Sequence, residues 1–87
     1  MVKEKVIVKN ETGLHARPAS ELVKLANQFK SNVQIIIGEK RANAKSMLGV
    51  MSAGVRANTE IEIECEGEDE EVALKEIIKA FENKFGE

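Results

Sequence analysis

The sequence predicts an α+β fold: a four-stranded antiparallel sheet covered on one face by three helices, in the order β-α-β-β-α-β-α. Three observations carry this. Segments with period-2 alternation take turns with segments whose apolar residues recur at helical spacing. The strand segments each keep a polar face, so helices are needed on one side of the sheet only. Gly38-Glu39 separates two strand segments by two residues, with glycine first, which suits a hairpin. The 87 residues make one small domain, 1–87, burying roughly 60–65% of the extended chain's surface.

Each element has a local reason. Val2, Glu4, Val6 and Val8 alternate with Lys3, Lys5, Ile7 and Lys9, a strand with one mostly apolar face. Asn10-Glu11-Thr12-Gly13 breaks it. From Arg17 or Pro18, Ala19, Leu22, Val23, Ala26 and Phe29 form an apolar stripe widened by Leu25, which predicts about three helical turns ending near Lys30-Ser31-Asn32. Val33, Ile35 and Ile37 give the second strand, and Lys40 to Ala44 the third, with Ala42 and Ala44 on one face. Ser46 is a natural N-cap for a short helix, Met47 to Ala53, and Gly54 a natural stop. Glu60 to Glu66 alternates perfectly, placing Ile61, Ile63 and Cys65 inside and four glutamates in water. Asp69 can cap the last helix, with Glu70 and Glu71 at its positive end and Lys79 and Lys84 toward its negative end. Leu74, Ile77, Ile78, Phe81 and Phe85 form its stripe.

Composition removes several function classes. Apolar residues are 43% and charged residues 32%, ordinary for a soluble globular protein. A net charge of −2 attracts neither nucleic acid nor anionic membrane. No apolar run approaches the roughly 20 residues that span a bilayer. The first residues do not read as a signal peptide, and one cysteine makes no internal disulfide, so a reduced, cytoplasmic protein is expected. One His and one Cys, 50 positions apart, offer no metal cluster, and no nucleophile elbow supports a Ser-His-Asp site. No cofactor is expected. RNA-binding domains share a β-α-β-β-α-β order, but they stack bases on sheet aromatics. The strands here have none, and the alternating glutamates would repel phosphate.

The chemistry-bearing segment is Gly13-Leu14-His15-Ala16-Arg17-Pro18, with the only histidine and the only proline of the chain. Proline fits the first turn of a helix, where no internal N–H donor is required. His15 therefore lies at or just before a helix N-terminus, whose unpaired N–H groups and dipole favour anions. Neutral imidazole is nucleophilic near neutral pH, its ordinary pKa being about 6.5. The helix start and Arg17 both disfavour the imidazolium. They would also stabilise a phosphoryl group once it is attached.

On these residues, Thr12-Gly-Leu-His15-Ala-Arg17-Pro18-Ala resembles the active-site motif of the HPr family, histidine-containing phosphocarriers of the phosphoenolpyruvate-dependent sugar phosphotransferase system. The likeness extends over the whole chain in length and element order. It implies an open-faced β-sandwich and a non-enzymatic carrier. His15 would accept a phosphoryl group on Nδ1 from phosphorylated enzyme I and pass it to the A component of a sugar permease, with Arg17 aiding transfer. It also implies a monomer that neither binds nucleic acid directly nor inserts into membranes. A paralogous carrier of a nitrogen-linked regulatory chain would share the His15 loop.

The segment Lys45-Ser46-Met47-Leu48-Gly49-Val50-Met51-Ser52 argues against that paralogue. It is similar to the regulatory segment of Gram-positive HPr, although Ile-Met is usual there in place of Met47-Leu48. The similarity implies phosphorylation of Ser46 by HPr kinase/phosphorylase, and binding of the modified form to the catabolite control transcription regulator. A phosphate at a helix start adds about −1.5 to −2 charges where the dipole favours them. Met47, Leu48 and Met51 fall close together on the short helix, and at least one is expected to be exposed as a docking patch beside the His15 loop.

Overall fold

The computed structural model describes residues 1–87. The chain folds as β1 (Val2–Ile7), α1 (Ala16–Ala26), β2 (Asn32–Ile37), β3 (Lys40–Asn43), α2 (Met47–Ala53), β4 (Glu60–Glu66) and α3 (Glu70–Glu82), closed by a 3-10 turn over Lys84–Gly86. The strands form one antiparallel sheet in the order β1-β4-β2-β3. All three helices contribute to a single core on one face: Val33, Ile35, Ile61, Ile63 and Cys65 of the sheet bury against Leu22 of α1, Val50 of α2 and Ile77 and Phe81 of α3. This is the open-faced α+β arrangement that the alternation predicts. No helix is long and apolar enough to cross a membrane.

The outer face carries the cross-strand charge pairs. The register sets Lys3 opposite Glu64 and Lys5 opposite Glu62, pairings worth about 0.2–1 kcal/mol each. Glu64 corrects the expectation that all four glutamates of β4 lie in water: it is only 8% exposed. β4 is a central strand, so neighbours cover it from both sides. Arg41 Nη1 of β3 donates to Glu64 Oε2 at 3.1 Å and to Gln34 Oε1 of β2 at 2.8 Å.

Two helix ends differ from the periodicity. α1 stops at Ala26, short of Phe29: the Gln28 and Phe29 N–H groups shift to i→i−3 bonds on Leu25 O and Ala26 O and form a turn; Phe29 still packs on the core. α3 stops at Glu82, so Phe85 does not continue its stripe. The backbone instead reverses through positive φ at Lys84 (54°) and Phe85 (52°). Phe85 nevertheless meets Phe81 edge-on, with ring centroids 4.8 Å apart.

Asp69 is also not the side-chain cap of α3 that its position suggested. Its carboxylate crosses to the α1–β2 turn, where Oδ2 accepts from Lys30 N–H at 2.9 Å and Oδ1 accepts from Ser31 N–H at 2.9 Å and from the Ser31 hydroxyl. Ser31 is buried. The Ser31 hydroxyl first, and the two backbone N–H groups with it, hold the Asp69 carboxyl at a pKa of about 2. Burial, with the nearby carboxylates of Asp69, Glu70 and Glu64 adding to it, pushes the Cys65 thiol up to about 11. Cys65 is thus an inert core residue, as its place in the alternation suggests.

Gly13 sits where the loop before α1 meets the loop after α2. Its φ is 69°, and a Cβ there would lie 2.3 Å from Val55 O and 2.8 Å from Arg56 Cα. Leu14 N–H donates to the same Val55 oxygen at 3.0 Å.

Gly13→Ala combines a left-handed φ with a backbone clash, so we expect a loss of about 3 kcal/mol. That is roughly 12–24 °C of Tm for a domain this size, measurable by calorimetry; a drop under 5 °C would show that the loop yields freely. Asp69 makes a signed prediction about acid. Its folded pKa lies below the ordinary value of 3.8, so its stabilisation is full above about pH 4 and is lost as pH falls toward 2. Asp69→Asn should lower stability at pH 7 and flatten the fall in urea midpoint between pH 4 and 2. An unchanged slope would assign the acid sensitivity to other carboxylates.

Candidate functional site

His15 is the N-cap of α1, in extended conformation (φ −76°, ψ −173°), and its ring makes no capping hydrogen bond. The first internal bond of the helix runs from Ala19 N–H to His15 O at 2.9 Å. The amides of Ala16 and Arg17 are therefore the orphan donors of this helix start. Pro18, buried in the first turn, contributes none. The sequence places the imidazole at an anion-favouring helix head, and the fold keeps it there, with 42% of the side chain exposed.

The ring's partner was not foreseen. His15 Nε2 lies 3.1 Å from Glu87 Oε2. Glu87 Oε1 accepts from Asn10 Nδ2 at 2.6 Å, and the same Nδ2 donates to Lys84 O at 2.9 Å. Asn10 is 1% exposed, so this amide is a buried fixture. Its hydrogen bond is the main reason the Glu87 carboxyl is held below the usual carboxylate range, with the contact to His15 and the nearby Arg17 adding to it. A carboxylate facing Nε2 places the proton of neutral imidazole on Nε2 and leaves the Nδ1 lone pair available.

These side chains line one open depression of about 670 Å³: Asn10, Glu11, Thr12, His15, Arg17, Lys84 and Glu87. It has no apolar wall, so it suits a small charged group presented by another molecule better than a buried organic ligand. Two cations, Arg17 and Lys84, share it with two carboxylates, Glu11 and Glu87. The sequence pointed to the helix start and Arg17 as the neighbours of His15; the structure adds a carboxylate on Nε2. Arg17 shares the depression with His15, as its spacing suggests.

Ser46 caps α2 as its position predicts, its Oγ accepting from Gly49 N–H at 3.0 Å, and Gly54 ends the helix in the left-handed conformation. Met47 (38%), Leu48 (78%) and Met51 (43%) are all exposed, while Val50 alone of this helix is fully buried. The start of α2 is tied to the far end of α1: Asn27 Nδ2 donates to Lys45 O at 3.1 Å, and Lys45 Nζ donates to Phe29 O at 2.7 Å. Its end reaches Leu14 through Val55. The two helices thus run in opposite senses. Ser46 sits at the far end of α1, a helix about 16 Å long, with Met47 and Leu48 next to it; Met51, one turn on, lies nearer the end of α2 that meets the His15 loop.

Sequence reasoning passed over Asn10, read only as a turn residue, and Glu87. Neither carries a local signal, because the contact joins residues 77 positions apart.

The comparisons with known proteins agree. Residues 2–83 match the family described as the PTS HPr component phosphorylation site. The phosphocarrier protein HPr of Treponema pallidum is 42% identical over 87 residues, covering 100% of this chain and 99% of its own. The crystal structure of HPr from Thermoanaerobacter tengcongensis superposes with a TM-score of 0.97 at 42% identity, covering 100% of this chain and 98% of that one. The HPr-like protein Crh of Bacillus subtilis is 46% identical over 77 residues, 88% of this chain and 91% of its own. Its crystal structure, described as a catabolite repression protein forming a swapped dimer, superposes with a TM-score of 0.78 over 97% of each chain. With the family matched over nearly the whole chain and the fold reproduced at full length, this chain belongs to the HPr family of phosphotransferase-system phosphocarriers.

Proposed function

We propose that His15 is the phosphoryl acceptor, loaded by phosphorylated enzyme I and unloaded by the A components of sugar permeases. The observation that carries this reading is the arrangement at the head of α1: an imidazole bound at Nε2 and open at Nδ1, beside two orphan amides and the Arg17 side chain. On loading, the Nδ1 lone pair forms a bond to phosphorus while the donor's bond to phosphorus breaks and its electron pair stays with the donor; on unloading, the acceptor's lone pair bonds to phosphorus while the P–Nδ1 bond breaks and its pair returns to Nδ1. The amides of Ala16 and Arg17 and the Arg17 guanidinium stabilise the charge that arrives. The protein is a stoichiometric carrier and turns nothing over alone. The monomer is the proposed working form.

Ser46 is proposed as the regulatory site of HPr kinase/phosphorylase, its phosphoform being recognised by the catabolite control transcription regulator. The likeness to Crh supports this reading. Met47, Leu48 and Met51 are the proposed docking residues. Ser46 and His15 lie at opposite ends of α1, beyond a Debye length of about 8–10 Å. A phosphate on Ser46 therefore acts on docking partners rather than directly on the imidazole.

Incubation with phosphoenolpyruvate and enzyme I should give an acid-labile adduct that His15→Ala abolishes; an adduct surviving in that variant would refute the assignment. Loss of one charge-assisted bond, about 1.5–3 kcal/mol, predicts that Arg17→Ala slows transfer roughly 10–150-fold while Tm moves by only a few degrees. An unchanged rate would leave Arg17 without a role in transfer. With ATP and the kinase, an acid-stable phosphate should appear and be absent in Ser46→Ala. The phosphoform should show a raised KM for enzyme I with little change in kcat; the reverse split would contradict the docking account.

A further inference from the structure

We infer that Glu87, held by Asn10, is a positioning residue that directs the phosphoryl group to Nδ1 of His15 by occupying Nε2. The inference rests on the His15 carrier reading above and deepens it. Both ring nitrogens of imidazole are nucleophilic when they carry a lone pair, and an exposed histidine offers both to a donor. Here the Glu87 carboxylate faces Nε2 at 3.1 Å. It covers that nitrogen and keeps the ring proton on it.

The surroundings show that this contact is built rather than incidental. Asn10 uses both hydrogens of its Nδ2, one on Glu87 and one on the Lys84 carbonyl, and is 1% exposed. Its Oδ1 is buried without a hydrogen-bond partner. A buried amide left half satisfied is costly, and an apolar residue would avoid that cost, but only an amide supplies the two donors. The chain also takes a strained path to bring Glu87 there. Lys84, Phe85 and Gly86 have successive φ values of 54°, 52° and 84°. Two of these are side-chain-bearing residues that rarely enter the left-handed region. Phe85 on Phe81, and Asn10 on the Lys84 carbonyl, hold the turn closed. Strain maintained in this way marks functional sites.

The contact has work in both directions of transfer. On loading, the Nδ1 pair attacks phosphorus while the ring keeps its Nε2–H, so the phosphorylated ring is cationic and Glu87 faces that charge. On unloading, the P–Nδ1 bond breaks, its pair stays on Nδ1, and the ring leaves as neutral imidazole with Nε2–H still in place. Without an anion facing Nε2, the phosphorylated ring gives up that proton more readily, and the group that then departs is imidazolate, a far poorer leaving group.

The test avoids protein partners by loading the chain with potassium phosphoramidate, which transfers its phosphoryl group and releases ammonia. Nitrogen-15 and phosphorus-31 NMR then report which ring nitrogen is phosphorylated. The parent chain should give the Nδ1 adduct alone. Glu87→Ala should divert at least roughly a tenth of the product to Nε2, and Asn10→Asp, which removes both donors and repels Glu87, should do likewise. Glu87→Gln retains an acceptor oxygen, so it should restore Nδ1 selectivity while unloading several-fold more slowly. Glu87 lies on the surface, and an unchanged amide spectrum checks that Glu87→Ala is folded. An Nδ1-only adduct in Glu87→Ala, formed and released at the parent rate, would overturn the inference while leaving the carrier reading intact. A parent chain that takes no phosphoryl group on His15 would instead overturn the carrier reading, and this inference with it.

Discussion

Gly13 and the Val55–Arg56 backbone share a space too narrow for a methyl group. That close approach lets Leu14 N–H reach Val55 O and lets the Leu14 side chain enter the core, 4% exposed. Leu14 fixes where the chain leaves the interior, and one residue later His15 is the last non-helical residue before α1. The imidazole is thus placed by backbone packing, not by hydrogen bonds of its own to the helix. The proposed attack on and release of phosphorus would need this: the ring's position is set from behind while its Nδ1 edge stays free.

The two interior helix starts are finished in opposite ways, and the difference follows from their residues. α2 begins with a serine whose hydroxyl satisfies Gly49 N–H, so its start is closed. α1 begins with a histidine that caps nothing, followed by two amides and a proline with no amide at all, so its start is open to an anion. The electrostatics around the open start are balanced rather than extreme. Arg17 and Lys84 line it with Glu11 and Glu87, so in the proposed role two cations would draw a phosphoryl group in and two carboxylates would temper its retention. A carrier must release what it binds, and a purely cationic pocket would hold its cargo too firmly.

What could be read from the sequence is what short-range physics determines. Period-2 alternation located β1, β2 and β4 because burial of one sheet face acts on every second residue. The heads of α1 and α2 were legible because Pro18 and Ser46 act within one turn of their own position. What escaped depends on partners far along the chain. Asp69 has the right place for an N-cap, but Lys30 and Ser31 offer its carboxylate three donors at once, and three outcompete one. Glu64 alternates like its neighbours, yet a central strand and Arg41 cover it. The apolar spacing of Phe81 and Phe85 is genuine, but a turn of left-handed residues satisfies it as well as a helix does, and only the turn brings Glu87 to His15. The reactive imidazole was therefore visible, and the carboxylate facing it was not.

The remaining question is why the proposed docking surface should be built on the least buried helix. α2 has seven residues and buries only Val50 completely, so packing alone stabilises it weakly. Its ends do more: the Ser46 hydroxyl, worth about 1 kcal/mol as a cap, the left-handed Gly54, and the ties from Asn27 and Lys45 to α1. Because it buries so little, it can present Met47, Leu48 and Met51 to solvent without emptying the core. Because its stability is concentrated at its ends, a charge added at Ser46 falls on one of the few interactions that define the helix. The dipole at that end favours the added charge, so the helix is retained and its outward electrostatics change. Exposed methionines that adapt to partners, next to a hydroxyl that can alter the local charge, are what a surface needs if it is to be shared by successive proteins and restrained without unfolding.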